Sequence, residues 1–185
     1  MDIRSVRVIE RQVKYPRLEL RTGLPVLVMP RYTNLQPAAI VGYHKKWLEE
    51  KLEFVEKVKK KYKNCKIYER SDDELRKMVE KFVGDFLLVI KVKPLKISFR
   101  YLKTKWGSCS RKRRLCFNLA LKHLPTSLVR YVVFHEMVHL IIPNHKKAFW
   151  TYVKKEFENP DSYEEKLYGY WFLINKNQGS EMGNY

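Results

Sequence analysis

Apolar and polar residues alternate at the start of this chain and then change period. Val6 and Val8, Leu18 and Leu20, and Val26 and Val28 recur at every second position, with Thr22-Gly23 between the last two pairs. A period of two gives a strand one apolar face, so two or three strands including a hairpin are predicted, the last closed by Pro30. From Ala38 to about Tyr62 the apolar residues Val41, Trp47, Leu48, Leu52, Val55, Val58 and Tyr62 follow helical spacing, with Glu and Lys filling the other face. This predicts one amphipathic helix packed on the strands. Ser71 followed by Glu74 is a capping-box signature, and Leu75, Met78, Val79, Phe82 and Phe86 continue at helical spacing, so a second helix starts near Asp72. Gly84, or the β-branched run around Val89 to Val92, is expected to end it.

The second half alternates again. Ile97, Phe99 and Tyr101 read as a strand, Trp106-Gly107-Ser108-Cys109-Ser110 as a small-residue loop, and Leu115 to Leu119 as another strand. Residues 97–119 are therefore predicted to form a hairpin. A helix beginning around Pro125 to Ser127 places Leu128, Tyr131, Val132, His135, Val138, His139 and Ile142 on one face. Phe149, Trp150 and Val153 mark a further helix. Pro160 breaks it, and Asp161 can cap a last one through Leu167, Trp171 and Ile174, with a frayed tail from Lys176.

Among these elements, Phe134-His135-Glu136-Met137-Val138-His139 carries chemistry. His135 and His139 are four residues apart, one above the other on a helix, so two imidazoles can share one metal. Pro143 and Asn144 bend the chain and bring back His145 as a third ligand. Zinc lowers the pKa of a bound water to about 7 and polarises a carbonyl, while Glu136, one position round the helix, can act as general base. One zinc per chain is expected. A downstream carboxylate such as Glu164 as third ligand is the alternative, and it would leave His145 idle. The spacing of His145 also fits a metzincin, but that pattern wants a glycine where Ile142 stands.

The chain of 185 residues, with 45% hydrophobic and 14% aromatic residues, is long and apolar enough for one folded domain. Residues 1–94 are expected to form a strand and helix lobe, 95–175 the metal-site half, and 176–185 a tail. No apolar run approaches the 18 or more residues of a membrane span, and a cytoplasmic protein with no membrane partner is expected. Three cysteines, Cys65, Cys109 and Cys116, are an odd number without Cys-x-x-Cys spacing, so neither a disulfide framework nor a structural zinc ribbon is suggested. Cys109 beside basic residues is a weaker candidate nucleophile.

The net charge of +18 points to polyanions or acidic substrates. Lys103, Lys105, Arg111, Lys112, Arg113 and Arg114 crowd the segment before the metal helix, so Lys105 and Arg111 to Arg114 are candidate contacts to nucleic acid or another polyanion. The run from Lys57 to Lys63 reads as a solvated surface. Trp106, Gly107, Ser108 and Asn118 are candidate substrate contacts. The loop can aim backbone N–H groups at a developing oxyanion, and the strand ending near Leu119 can offer an edge to an extended peptide. Structurally, Trp106 can instead fill the core and Gly107 permit a turn. His123, alone near a helix start, reads as a surface residue.

Together, Trp106 to Ser110, Asn118 with Leu119 and Leu121, Tyr131-Val132-Val133 leading into His135-Glu136-Met137-Val138-His139, and Asn144-His145 followed by Phe149-Trp150 resemble the YgjP-like metallopeptidase family. This is a zincin group related in its metal-site pattern to SprT-like proteases. The resemblance implies zinc ligands His135, His139 and His145, catalytic Glu136, and an α+β zincin fold. That fold would have a small, mostly antiparallel sheet beside the metal helix, and an amino-terminal hairpin and helical lobe. A zinc metallopeptidase acting on peptides or proteins is the expected function. The basic loop keeps two alternatives in view: a metal-dependent hydrolase of nucleotide phosphoanhydrides, and a protease associated with nucleic acid. A third, non-enzymatic reading is a nucleic-acid-binding protein whose zinc is structural; against it, structural zinc sites are usually closed by four protein ligands, commonly including Cys, and Glu136 would have no role. The oligomeric state is not encoded in these motifs.

Overall fold

In the computed structural model, which describes residues 6–21 and 23–177, the early alternation becomes three strands, β1 (Arg7–Arg11), β2 (Arg17–Arg21) and β3 (Leu24–Pro30). β2 and β3 form the expected hairpin. Thr22 of its turn lies outside the described residues, and Gly23 takes a φ of 78°, the left-handed region that glycine enters without a Cβ clash. β1 pairs with β3 in parallel, so β3 is central and its Leu27 and Val28 are fully buried. Val8, on the edge strand, is exposed. The helix expected from Ala38 to Tyr62 is two helices, α1 (Pro37–Tyr43) and α2 (Lys45–Tyr62), interrupted at His44. Gly42 lies beside the break, with nothing packed where its Cβ would be, and a glycine there weakens the helix. Val6, Leu27, Met29, Val41 and Leu48 make the small core of this unit.

The chain divides into two compact units at 61/62, earlier than the lobe boundary expected at residue 94. α3 (Asp72–Ile90) belongs to the second unit, where it packs against the helix that carries His135. Its capping box is formed: Ser71 Oγ accepts from Glu74 N–H, and the Glu74 carboxylate accepts from Ser71 N–H at 2.7 Å. The helix runs past Gly84, because Phe86 and Ile90 beyond it are buried in the core, and it stops at Lys91 in the left-handed region.

Three strands follow, β4 (Lys96–Arg100), β5 (Gly107–Cys109) and β6 (Arg114–Asn118), in the order β4-β6-β5. The hairpin expected over 97–119 is corrected here. β4 lies parallel to β6, with Ile97 opposite Leu115 and Phe99 opposite Phe117, and the short β5 supplies the antiparallel partner. The sheet is therefore mixed rather than mostly antiparallel, within the expected α+β class. As the central strand, β6 has no free edge, and the edge at the site is β5. A 3-10 turn (Leu119–His123) leads into α4 (Thr126–Val138), followed by α5 (Lys147–Val153) and α6 (Pro160–Asn177). Pro160 opens α6, and the Asn159 side chain, rather than Asp161, accepts from Ser162 N–H. Leu115, Phe117, Phe134, Met137 and Phe149, all fully buried, hold sheet and helices together.

Candidate metal centre

α4 delivers His135 and Glu136 from its last turn, and His139 is its C-cap, still in helical conformation. The helix ends before Pro143, in a turn closed by Leu140 N–H to Met137 and Ile142 N–H to Val138 carbonyls. Asn144 Oδ1 accepts from Lys146 N–H, and this local bond turns His145 back toward α4. The result is that His145 Nε2 lies 2.9 Å from His135 Nε2 and 3.1 Å from His139 Nε2. Phe149, fully buried at the start of α5, lies under all three rings at centroid distances of 4.8, 4.6 and 4.7 Å.

This donor set fits zinc. Zn–N bonds are about 2.0–2.1 Å, so three nitrogens this close can share one ion. The outer nitrogens support the same tautomer. His139 Nδ1 lies 3.0 Å from the Ile142 carbonyl, which can only accept, so Nδ1 carries the proton and Nε2 offers its lone pair. His135 Nδ1 lies 3.6 Å from Glu164 Oε1. Burial, reinforced by the other two histidines, lowers the His135 pKa to about 3, and burial lowers that of His139 too. Both rings are therefore neutral and ready to ligate at pH 7.

Glu136 is 7% exposed and faces β5, where only a glycine fits. A Cβ on Gly107 would lie 2.7 Å from Glu136 Cγ and 2.9 Å from its Oε1. Burial pushes the Glu136 carboxyl up to about 7, against the opposing charge of Lys105 and with Glu164 adding to the rise. A cavity of about 600 Å³ opens over these groups, and its walls include Lys105, Trp106, Ser108, Arg111, Tyr131 and Glu164.

Most of the residues singled out in the sequence meet here, with exceptions. Asn118 is buried and committed to the fold: its Nδ2 donates to the Leu102 and Lys105 carbonyls and its Oδ1 accepts from Ala120 N–H. Its place among substrate contacts is thus corrected, because its amide holds the loop that carries Lys105 and Trp106. Trp106 is half-buried edge-on to Trp171, with ring centroids 4.9 Å apart, so it both packs and lines the cavity. Lys112, Arg113 and Arg114 are exposed at the turn beyond Arg111, outside the cavity wall, with Arg113 at a φ of 52°. Burial, with Glu136 nearby, raises the Cys109 thiol to about 11, the opposite of the lowering that basic neighbours were expected to give a nucleophile. His123 Nδ1 is bonded to the Tyr68 carbonyl at 2.9 Å and is a structural residue. Glu164 stands outside the three-nitrogen cluster, on the far side of His135. The steric role of Gly107 and the part of Tyr131, four residues before His135, had no signal beyond their presence in the motifs.

The family described as YgjP-like, metallopeptidase domain, matches residues 44–169. Among solved structures, the chain is similar to the metallopeptidase zymogen jannalysin of Methanocaldococcus jannaschii, at 24% identity and a TM-score of 0.44 over 48% of this chain and 92% of that one. It is also similar to the metallopeptidase zymogen abylysin of Pyrococcus abyssi, at 22% identity and a TM-score of 0.45 over 48% of this chain and 90% of that one. No curated protein matches.

Proposed function

Since this chain belongs to the YgjP-like metallopeptidase family, we propose that it is a zinc peptidase whose metal is held by His135, His139 and His145 and whose general base is Glu136. A metal-dependent hydrolase with a peptide or protein substrate follows from the family. The finer assignment rests on one observation: the Nε2 atoms of His135 and His139 both lie within 3.1 Å of His145 Nε2, with a buried carboxylate on the same cavity wall. Zinc, when bound, supplies a water acidified to a pKa of about 7 and a Lewis acid for the carbonyl oxygen. Glu136 takes a proton from the attacking water and passes it to the leaving nitrogen. Its carboxyl group shares the cavity wall with the three histidines, within reach of a water between them and the substrate. β5, an edge strand on the cavity wall, offers backbone groups to an extended peptide. Lys105 makes no ion pair among the described residues and stands where negative charge on the substrate can be opposed.

Two variants test the assignment. Wild type should carry one zinc per chain by elemental analysis, and His145→Ala should lose or greatly weaken it. Glu136→Gln should keep zinc and cleave casein roughly 100- to 10,000-fold more slowly, with nucleotides uncleaved by either protein. Full zinc retention in His145→Ala would move the third ligand to Glu164, and casein cleavage surviving in Glu136→Gln would remove that residue as base. Phosphoanhydride cleavage, the other reading of the basic loop, has no support from the family. Association with nucleic acid or another polyanion keeps one supporting observation, since Arg111 joins the exposed Lys112 to Arg114 turn directly to the cavity wall.

A further inference from the structure

Glu164 is a charged group in the catalytic cavity that the proposed reaction leaves without a task. It stands on α6, and Tyr131 on α4 holds it, donating its phenol O–H to Glu164 Oε1 at 2.6 Å. Tyr131 itself is fixed. It is fully buried, stacked on Tyr163 with centroids 4.8 Å apart and planes at 11°, and edge-on to Phe157 at 5.1 Å. One turn along α4 from Tyr131, His135 turns its Nε2 toward the other two histidines and its Nδ1 toward Glu164. The separation of 3.6 Å is slightly longer than a hydrogen bond, so the neutral ring's Nδ1 faces the carboxyl group across a loose polar contact. The two α4 ligands therefore differ. His139 has its Nδ1 bonded to a backbone carbonyl within its own turn, whereas the Nδ1 of His135 faces a side chain from another helix.

We infer that Glu164, clamped by Tyr131, is the positioning residue for His135, fixing its ring and tautomer and thereby setting the metal affinity of the site. This rests on the three-histidine assignment above. A carboxylate facing Nδ1–H keeps the proton on that nitrogen, leaves the Nε2 lone pair free, and makes it a stronger donor. Glu164 is half-exposed toward the cavity, so the clamp needs the Tyr131 hydrogen bond to keep the carboxylate from turning into solvent. It also explains why α6 belongs to the catalytic unit: the helix delivers a group that the metal helix lacks.

The test is metal affinity rather than turnover. Zinc dissociation constants come from competition with a chromogenic chelator on the full chain, beside the visible spectrum of the cobalt-loaded protein. Glu164→Gln should weaken zinc binding by roughly 10- to 100-fold, and Tyr131→Phe by less. The double variant should be no weaker than Glu164→Gln alone, because both changes break one chain of interactions. The cobalt bands should stay in place, since the ligands are unchanged. Unaltered affinity in Glu164→Gln, or additive losses in the double variant, would overturn the inference while leaving the three-histidine site standing. A shifted cobalt spectrum would make Glu164 a direct ligand and also overturn it. Failure of wild type to bind zinc would instead sink the site assignment. Should Glu164→Gln not fold, Tyr131→Phe carries the test alone, and wild-type affinity there is the contrary result.

Discussion

At the scale of single residues, Gly107 and Glu136 define each other. The 2.7 Å approach of a built Cβ to Glu136 Cγ means that Gly107→Ala must turn the carboxylate away or push β5 off α4. A misplacement of about 1 Å can cost up to about 100-fold in rate. Gly107→Ala should therefore lose kcat by at least tenfold while keeping zinc, and an unchanged kcat would show that the base tolerates displacement. The raised Glu136 pKa carries a stability consequence in metal-free protein. Folding disfavours the charged carboxylate, so its contribution is complete below its ordinary pKa of 4.5 and is lost as pH rises to about 7. The loss is about 3 kcal/mol at 1.36 kcal/mol per pKa unit. His135 has the opposite sign, lowered from 6.5 to about 3, so its contribution is lost as pH falls below 6.5. Urea unfolding of chelator-treated wild type and Glu136→Gln from pH 4.5 to 7.5 separates the two, since His135 is common to both. Wild type should lose stability relative to the variant as pH rises, whereas parallel curves would mean that the carboxylate stays solvated.

At the scale of elements, what was legible was what is local. The start of α3 could be read from Ser71 and Glu74 because a capping box is closed within one turn, and the structure has both bonds. Ser71→Ala should cost about 1 kcal/mol of stability and leave zinc content unchanged. A denaturation midpoint equal to wild type would show that tertiary packing, rather than the cap, fixes that end. The end of α3 was not legible, because the burial of Phe86 and Ile90 outweighs the weak helix propensity of Gly84. Alternation around Ile97 and Leu115 identified strands but not their direction. Pairing of β4 with β6 in parallel joins distant segments, and a period of two says nothing about the partner.

At the scale of the whole molecule, the net charge of +18 and the exposed turn from Arg111 to Arg114 act at long range. If this turn holds a polyanion, neutralising its four basic residues to Gln should weaken DNA or RNA oligonucleotide binding at low salt. The slope of log K against log salt should become shallower by about 0.9 for each duplex phosphate that the variant no longer neutralises. Unchanged affinity and slope, measured by anisotropy, would rule the turn out as that surface. No helix among the described residues is long and apolar enough to cross a membrane.

The sequence by itself determined which three histidines are candidate metal ligands. His135 and His139 are fixed relative to each other by one helical turn, and His145 is returned by a loop of five residues. Short-range geometry of this kind survives in any fold that keeps α4 helical. Only the tertiary structure decided that Gly107 makes room for Glu136, that β5 rather than β6 borders the cavity, and that Glu164 on α6 faces His135. These approaches join residues about 30 positions apart, or lie across a sheet whose order has no local code. They exist because the shared core around Tyr131, Phe134 and Phe149 holds α4, α6 and the sheet at fixed distances.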